Sequence, residues 1–371
     1  MSAKRVSRRV FVGATSTASA AAAAQAGSSR QPPVAAPYLQ SSLSAPQGPV
    51  KIVTMYKFEP AEIEKIRNAS KRSQVEIVTC ATREEFRSKL RDADVVYGDI
   101  RSADLDFAPK LKWIHVGGAG MEGILDDGHR KSPVVMTNYA RTFAHGITET
   151  AMGLLLALTR GLVQYYIPQF NKRQMVPVGT VKSAHHVELA GRTMGIAGMG
   201  GIGTLLARRA HNGFDMRVVG TDAKPIPRPD YVAELHDPGW FLEMVPQVDV
   251  LVCAVPHTKK TEGMFNEQVF RSMKKTAYFL ALSRGKLFDD MALVKALKEG
   301  WIAGAGLHVF PQEPPPSSHP IFDCPNVVMS AHTSGWSPDR QVRLIDLFAE
   351  NVRRYAEGWP LINVVDKQAG Y

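Results

Sequence analysis

Three glycines near the middle of the chain are spaced so that they could hold a phosphate group. Gly198, Gly200 and Gly203 form the pattern Gly-x-Gly-x-x-Gly, with Gly201 and Ile202 between them. Glycines permit a tight turn in which backbone N–H groups approach a pyrophosphate closely. An apolar run precedes the pattern and a helical pattern follows it, so a helix N-terminus with its partial positive charge would face the phosphates. Spacing and context together predict a dinucleotide-binding turn.

A carboxylate stands where such a turn needs one. Asp222 ends the next predicted strand, 19 residues after Gly203. It could accept hydrogen bonds from the adenine-ribose hydroxyls and would repel a 2′-phosphate, which favours NAD over NADP. Lys224 and Arg228 lie close behind and weaken that preference. Asp222 could instead be a turn residue before Pro225.

Three further sets of polar residues each follow a predicted strand. They contain Arg284 (Ser283-Arg284-Gly285), Glu313 (within Gly306 to Pro314) and His332 (within Ser330 to Gly335). Taken singly, these could be a surface ion-pair partner, a turn residue and a loop histidine. The carboxyl ends of parallel strands are, however, where open α/β sheets bind ligands. Their common position therefore predicts one site.

The elements that would position these residues alternate regularly from Val50 onwards. Short apolar runs are followed by helical patterns, which predicts parallel sheets covered by helices on both faces. A long apolar helix is predicted over 148–166, buried between domains. We therefore predict two doubly wound parallel-sheet α/β domains. The first comprises 50–147 with a final helical segment, 336–371, and the second is a Rossmann domain at 148–335.

The N-terminus has the features of an export signal. Arg8 and Arg9 precede a weakly apolar, Ala-rich stretch, and Ala24-Gln25-Ala26 fits a small-x-small cleavage site. Residues 1–26 are therefore predicted to be a twin-arginine signal that engages the twin-arginine export machinery and directs the protein to the periplasm. The stretch is too short and too polar for a membrane anchor. Residues 27–49 are predicted to be a linker. The alternative is a disordered basic tail on a cytoplasmic protein.

Composition excludes several classes of protein. Of the 371 residues, 44% are hydrophobic and 22% charged, which is ordinary for globular domains and excludes disordered, collagen-like and disulfide-scaffold chains. The formal charge is +10, but four of the basic residues lie in the predicted signal and the others form no long run, so we predict no nucleic-acid surface. The three cysteines are widely spaced and predict no metal site.

Across residues 50–365 the sequence resembles the D-isomer-specific 2-hydroxyacid dehydrogenase family. The resemblance rests on the dinucleotide motif, the three polar sets in their order, and further segments. These segments are Leu111-Lys112-Trp113-Ile114, Gly117-Gly118-Ala119-Gly120, and Val255-Pro256-His257-Thr258 with Thr261. It implies a flavodoxin-like substrate domain beside the Rossmann domain, and an NAD-dependent oxidoreductase acting on a small 2-oxo or 2-hydroxy acid.

The resemblance also implies roles for single residues. Arg284 would hold the substrate's carboxylate and carbonyl through charge-assisted bonds, and backbone N–H groups near Ala119 and Gly120 would cradle the same carboxylate. His332 would protonate the carbonyl oxygen as hydride arrives. Glu313 would hydrogen-bond the imidazole and fix its orientation. Glyoxylate and hydroxypyruvate are the nearest substrates that the resemblance suggests.

The implied cofactor site is larger. It consists of Gly198, Gly200, Gly201, Ile202, Gly203, Asp222, Val255, Pro256, Thr261, Leu282, Ser283, His308 and Gly335. His308 departs from the family, which usually has Asp there beside the nicotinamide carboxamide, so cofactor affinity and activity could differ. Arg141 and Trp336 could line the substrate pocket or merely pack on the surface. The resemblance also implies a homodimer.

Two other functions remain open on sequence alone. A dinucleotide-binding sensor or scaffold without turnover would explain the glycine motif, and His308 favours it slightly. A periplasmic binding protein for a small acid would explain the export signal and the two domains, but it would not explain the glycine motif followed by Asp222.

Overall fold

The computed structural model describes residues 43–175 and 186–371. The predicted signal at 1–26 and most of the predicted linker therefore lie outside the described residues. Within these two ranges, twelve strands form two sheets, and every pair of neighbouring strands is parallel. This confirms the predicted fold class of two parallel-sheet α/β domains.

The first sheet has five strands in the order β2-β1-β3-β4-β5, which is the flavodoxin-like order. These strands are β1 (Val50–Thr54), β2 (Val75–Thr79), β3 (Val95–Tyr97), β4 (Trp113–His115) and β5 (Val135–Thr137). The second sheet has seven strands in the order β12-β11-β10-β9-β6-β7-β8. They are β6 (Thr193–Ala197), β7 (Arg217–Thr221), β8 (Glu234–His236), β9 (Val250–Cys253), β10 (Tyr278–Ala281), β11 (Gly304–Leu307) and β12 (Val327–Met329).

The helices that cover the sheets are short, apart from α4, α6 and α10. They are α1 (Pro60–Arg67), α2 (Arg83–Lys89), α3 (Asp127–Lys131), α4 (Ala144–Thr159), α5 (Ile167–Asn171), α6 (Gly201–Phe214), α7 (Phe241–Met244), α8 (Glu267–Ser272), α9 (Asp290–Lys298) and α10 (Arg340–Glu357). Among the described residues no single helix is long and apolar enough to cross a membrane. The segments Ala144–Thr159 and Leu162–Asn171 have that length and composition only together, with a bend of 61° between them.

The single helix predicted over 148–166 is wrong at both ends. α4 begins four residues earlier, at Ala144, and is followed by Gly161, which adopts a left-handed conformation with φ +69°. A left-handed glycine commonly ends a helix because it satisfies the last carbonyls without steric cost. A π-helical turn, Leu162–Tyr166, then leads into α5. The prediction extended past Gly161 because apolar residues resume at Leu162 and Val163, after the polar pair Thr159-Arg160.

α4 lies against the seven-stranded sheet. Its residues Ala151, Leu155 and Leu158 are buried in one core cluster with Met194 and Ile196 of β6. This apolar helix is buried, as predicted. The core cluster that contains these residues is that of the second sheet.

α10 belongs to the core of the first sheet, although it follows the last strand of the second. Its Phe348 is fully buried with Ile52 of β1, and the Phe348 and Trp113 ring centroids lie 5.6 Å apart. Burying such an aromatic side chain contributes about 2–3 kcal/mol. Beyond α10, Val364 pairs with Thr137 of β5 in an antiparallel bridge. The chain thus returns to the sheet on which it began.

The strand register brings the ends of the second sheet to one edge. Ala197 of β6 pairs with Cys253 of β9, Cys253 with Ala281 of β10, and Ala281 with Leu307 of β11. Strand order reverses between β6 and β9, and open α/β sheets bind ligands outside such a reversal. The loops after these strands carry the predicted site residues.

Candidate active site

The glycine-rich turn runs from the end of β6 into α6. Gly198 has φ +95°, and a Cβ there would lie 2.7 Å from the Ala254 carbonyl and the Val255 nitrogen. A Cβ at Gly203 would overlap the Gly198 carbonyl. Both positions therefore require glycine, because the first brings the turn against the loop after β9 and the second packs the helix against the strand.

The N-terminus of α6 can hold a dinucleotide's pyrophosphate. Gly200 is its N-cap and makes no side-chain cap hydrogen bond, and a Cβ at Gly200 would meet nothing within 4 Å among the described residues. The first N–H groups of a helix have no partner within that helix, so those of Gly201 and Ile202 are suited to phosphate oxygens. Arg141, on the segment after β5, has its Cα, Cβ and Cγ atoms beside Gly201. These residues fit the dinucleotide that the motif predicts.

Asp222 lies at the end of β7 with both carboxylate oxygens accepting backbone hydrogen bonds. Met199 N donates to one oxygen and Lys224 N to the other, each at 2.8 Å. The carboxylate therefore anchors the glycine-rich turn and also the turn that follows it. Each oxygen retains a further lone pair that can accept a ribose hydroxyl.

The loop after β9 is closed by Thr261. Its hydroxyl donates to the Pro256 carbonyl at 2.7 Å and accepts from Thr258 N at 2.9 Å. Thr261 thereby fixes Pro256 and Thr258 within one loop. Of this loop's predicted residues, Val255 lies beside the glycine-rich turn, since a Cβ at Gly198 would lie 2.7 Å from its nitrogen.

Three predicted cofactor residues lie on the other loops of this edge. Leu282 is buried, and its N donates to the Cys253 carbonyl at 3.1 Å. The Ser283 hydroxyl lies 3.7 Å from the Cys253 Sγ atom. Gly335 packs against Phe143, since a Cβ there would lie 3.2 Å from that ring. These residues hold neighbouring segments together at this edge through packing and backbone contacts.

His332 and Glu313 form the most direct contact of the candidate site. Their Nδ1 and Oε2 atoms lie 2.7 Å apart. A carboxylate can only accept, so Nδ1 is the donor and Nε2 is the nitrogen left for proton exchange. The second carboxylate oxygen of Glu313 accepts from Phe310 N at 2.8 Å. Glu313 is thereby oriented by the backbone and in turn orients the imidazole.

Backbone geometry holds this pair in place. His332 adopts φ +54°, an uncommon conformation for a non-glycine residue, and its N donates to the His308 carbonyl at 3.2 Å. A Cβ at Gly285 would overlap the Phe310 carbonyl group. The turn that carries Arg284 therefore touches the loop that carries Glu313.

Arg284 extends from the second sheet towards the loop after β4. A Cβ at Gly120 would overlap both Arg284 Nη2 and Glu122 Oε2, so this glycine admits the guanidinium close to the backbone. The neighbouring Ala119 carbonyl accepts from Asn138 Nδ2 at 2.8 Å, which fixes the loop on the end of β5. The structure thus brings Arg284 beside Gly120, with Ala119 adjacent in the same loop, and their binding of a substrate stays a prediction.

His308 is buried behind His332. Its Nδ1 lies 2.9 Å from Ser330 Oγ and its Nε2 lies 2.7 Å from Ser334 Oγ. Burial, and then the charge of His332, lower the pKa of His308 to about 4. His308 is therefore neutral at pH 7, and its ring nitrogens form hydrogen bonds with two serine hydroxyls. An Asp at this position would carry a negative charge instead.

Sequence reasoning missed two polar residues at this site. Glu122 pairs with Arg284, and Asn138 anchors the Ala119 loop. Asn138 follows β5, so recognising that short apolar run as a strand would have placed it at the sheet edge. Glu122 lies on a loop two residues after Gly120, and no spacing in the sequence indicates its contact with a residue of the second sheet. Arg141, left open by the sequence, lies beside the glycine-rich turn.

Within the described ranges, no group of three or more His, Cys, Asp or Glu side chains could hold a metal ion. Cys80, Cys253 and Cys324 are each buried and free.

Comparison with known proteins points to one family. Residues 152–334 match the family model described as D-isomer specific 2-hydroxyacid dehydrogenase, NAD binding domain. A glyoxylate reductase from Korarchaeum cryptofilum is 36% identical over 268 residues, which cover 70% of this chain and 78% of the relative.

Two solved structures show the same fold. An NADPH-dependent glyoxylate/hydroxypyruvate reductase from Sinorhizobium meliloti, in complex with NADP and sulfate, is 26% identical with a TM-score of 0.70. The match covers 87% of this chain and 100% of the S. meliloti chain. A D-isomer specific 2-hydroxyacid dehydrogenase from Xanthobacter autotrophicus is 21% identical, covers 89% of this chain and all of its own, and has a TM-score of 0.72. From its own sequence and these likenesses, this chain belongs to the D-isomer-specific 2-hydroxyacid dehydrogenase family.

Proposed function

We propose that this enzyme reduces small 2-oxo acids to 2-hydroxy acids, with glyoxylate and hydroxypyruvate as its first candidate substrates. The observation that carries the proposal is the His332–Glu313 pair at 2.7 Å, on the same sheet edge as Arg284 and the glycine-rich turn. The named activities of the K. cryptofilum and S. meliloti relatives support the choice of substrates.

The chain's own residues would divide the work as follows. Arg284 and the backbone near Gly120 would hold the substrate's carboxylate. The substrate's carbonyl oxygen would then face His332. His332 would give the proton on Nε2 to that oxygen. Glu313 accepts from Nδ1, so it would stabilise the imidazolium before transfer and hold the ring in one orientation afterwards. In the oxidative direction the neutral imidazole would take the proton back.

The cofactor would lie across the edge of the second sheet. The N-terminus of α6 would hold its pyrophosphate, Asp222 would face the adenine ribose, and the loops around Val255 and His308 would flank the nicotinamide. When bound, a nicotinamide cofactor supplies the hydride that the carbonyl carbon receives. We propose NAD as the preferred cofactor because the Asp222 carboxylate would repel a 2′-phosphate. The NADP complex of the S. meliloti relative makes NADP the alternative.

The test is turnover by the protein beginning at Gly27. NADH and NADPH absorbance would be followed with glyoxylate, hydroxypyruvate, pyruvate and longer 2-oxo acids. We expect NADH oxidation with the short acids, weaker use of NADPH, and loss of at least about 10²-fold in kcat for His332→Gln. Tight NADH binding without turnover on any acid would refute the proposal and favour a dinucleotide-binding sensor.

We also propose that residues 1–26 export the folded enzyme to the periplasm through the twin-arginine machinery. The basic pair Arg8-Arg9, the Ala-rich stretch and the cleavage site, in that order, support this. A reporter fused to residues 1–50 should be exported, and the double substitution of both arginines by lysine should prevent it. Export that survives the double substitution would contradict the proposal.

A homodimer is our proposal for the assembly. Large apolar side chains are exposed on one segment, among them Phe170 at 80% and Met175 at 87% exposure, together with Ile167. Contiguous exposed apolar surface commonly marks a protein interface. Light scattering of the purified protein should give twice the chain mass, and Phe170→Glu should give the monomer. A wild-type monomer at micromolar concentration would contradict it.

A further inference from the structure

Arg284 already has an anionic partner, and that partner comes from the other sheet. Its Nε lies 3.2 Å from Glu122 Oε1, and its Nη2 lies 3.5 Å from Glu122 Oε2. Glu122 belongs to the loop after β4, whereas Arg284 follows β10. The Glu122 and Arg284 side chains are 34% and 37% exposed, so the pair lies near the protein surface and not in a core.

The pair uses the edge of the guanidinium that a carboxylate would use. Nη1 donates to the Ser283 carbonyl at 2.8 Å, which leaves the Nε–Nη2 edge as the one presented to the loop. Two parallel N–H groups on one edge are the arrangement that binds a carboxylate in bidentate fashion. Glu122 places both of its oxygens along that edge.

The position of Gly120 shows that this contact lies at the predicted substrate cradle. A Cβ on Gly120 would overlap Arg284 Nη2 and Glu122 Oε2 together, so the loop backbone, the guanidinium and the Glu122 carboxylate meet at one point. A substrate carboxylate held by Arg284 and by the N–H groups of this loop would need the same space.

We propose that Glu122 is an internal counter-ion of Arg284 that the substrate's carboxylate must displace, which makes Glu122 a specificity-determining residue for anionic substrates. The proposal rests on the function proposed above. Displacement breaks one ion pair and leaves the Glu122 charge near the incoming carboxylate, and both effects weaken binding. Neither changes the proton transfer by His332, so KM should respond and kcat should not.

The expected size follows from the exposure of the pair. Solvent screens an ion pair that is a third exposed, so its loss corresponds to a fewfold change in affinity, and removal of the like-charge repulsion adds to this. We expect Glu122→Gln and Glu122→Ala to lower KM for glyoxylate about three- to tenfold, with kcat changed less than about twofold. Glu64 is an exposed carboxylate on α1, so Glu64→Gln is the matched control and should leave KM and kcat unchanged.

Oxalate binding to the NADH complex tests the proposal without turnover. Fluorescence titration of the wild type, both Glu122 variants, Glu64→Gln and Arg284→Ala would give the dissociation constants. We expect tighter binding in the Glu122 variants by the same three- to tenfold, no change in Glu64→Gln, and loss of binding in Arg284→Ala.

Equal or weaker oxalate binding in both Glu122 variants would overturn the proposal, and so would absence of oxalate binding in every protein. If no 2-oxo acid is turned over but the variants bind oxalate more tightly, the function proposed above fails while Glu122 remains the counter-ion. Thermal melting of each variant would establish that the fold is intact, which the exposure of Glu122 leads us to expect.

Discussion

Gly120→Ala should disable the substrate cradle while leaving the fold intact. The added methyl group would overlap Arg284 Nη2 and Glu122 Oε2, which are the far ends of two flexible side chains. Both can swing away at little cost, so the melting temperature should hardly change. Arg284 would then lose its place against the loop. A hydrogen bond to a charged group contributes about 1.5–3 kcal/mol, so we expect kcat/KM to fall about 10- to 100-fold.

Gly213→Ala is the matched control for that substitution. Gly213 lies on α6, and a Cβ there would meet nothing within 4 Å among the described residues. Both variants would be assayed by NADH oxidation with glyoxylate and by thermal melting. If Gly120→Ala retains kcat/KM within twofold of Gly213→Ala, then Arg284 does not act against this loop and the cradle is wrongly placed. If Gly120→Ala melts far below the control, the crowding lies in the backbone and not in the two side chains.

Three other perturbations have definite expected outcomes. His332→Gln should lower kcat at least about 10²-fold while NADH affinity in a fluorescence titration stays within twofold; a similar loss of affinity would make the residue structural. Gly285→Ala should lower kcat, and it should lower the free energy of unfolding by about 1–3 kcal/mol, because the methyl would overlap the Phe310 backbone. Denaturant titration would measure the free energy of unfolding, and an unchanged value would contradict the close contact. Burial lowers the pKa of His115 to about 3 and that of His308 to about 4, so below about pH 6.5 the unfolded chain binds protons that the folded one does not, and stability falls as pH falls. Between pH 7 and pH 5, the free energy of unfolding of His115→Asn should therefore fall by about 2 kcal/mol less than that of the wild type, as measured by denaturant titration. An equal fall in both proteins would show that His115 does not titrate this way.

The parts of the site that the sequence predicts are those whose positions depend on neighbouring residues along the chain. The glycine-rich turn follows β6 and opens α6, so its position depends on a few neighbouring residues. Strand ends are similarly local, and a parallel sheet then aligns them at one edge. Glu313 and His332 could be assigned to that edge because each follows an apolar run, and the structure places them 2.7 Å apart.

What the sequence did not predict depends on contacts between distant segments. Glu122 and Arg284 come from different sheets, and nothing near either residue specifies the other. α4 ends at Thr159, just before the left-handed Gly161, but apolar residues resume at Leu162 and Val163, so hydrophobicity alone predicts a longer helix. β8 is only three residues long and includes Glu234, so a search for apolar runs misses it.

The left-handed backbone at His332 has a consequence for how this enzyme could lose its activity over evolution. An L-residue with a Cβ pays a steric cost of about 1 kcal/mol at φ +54°, which glycine does not. A glycine arising at this position would remove the proton donor yet suit the chain's path better than alanine would. The scaffold that binds the dinucleotide would remain intact. Drift at a single codon could thus convert the catalyst into a stable, folded nucleotide binder.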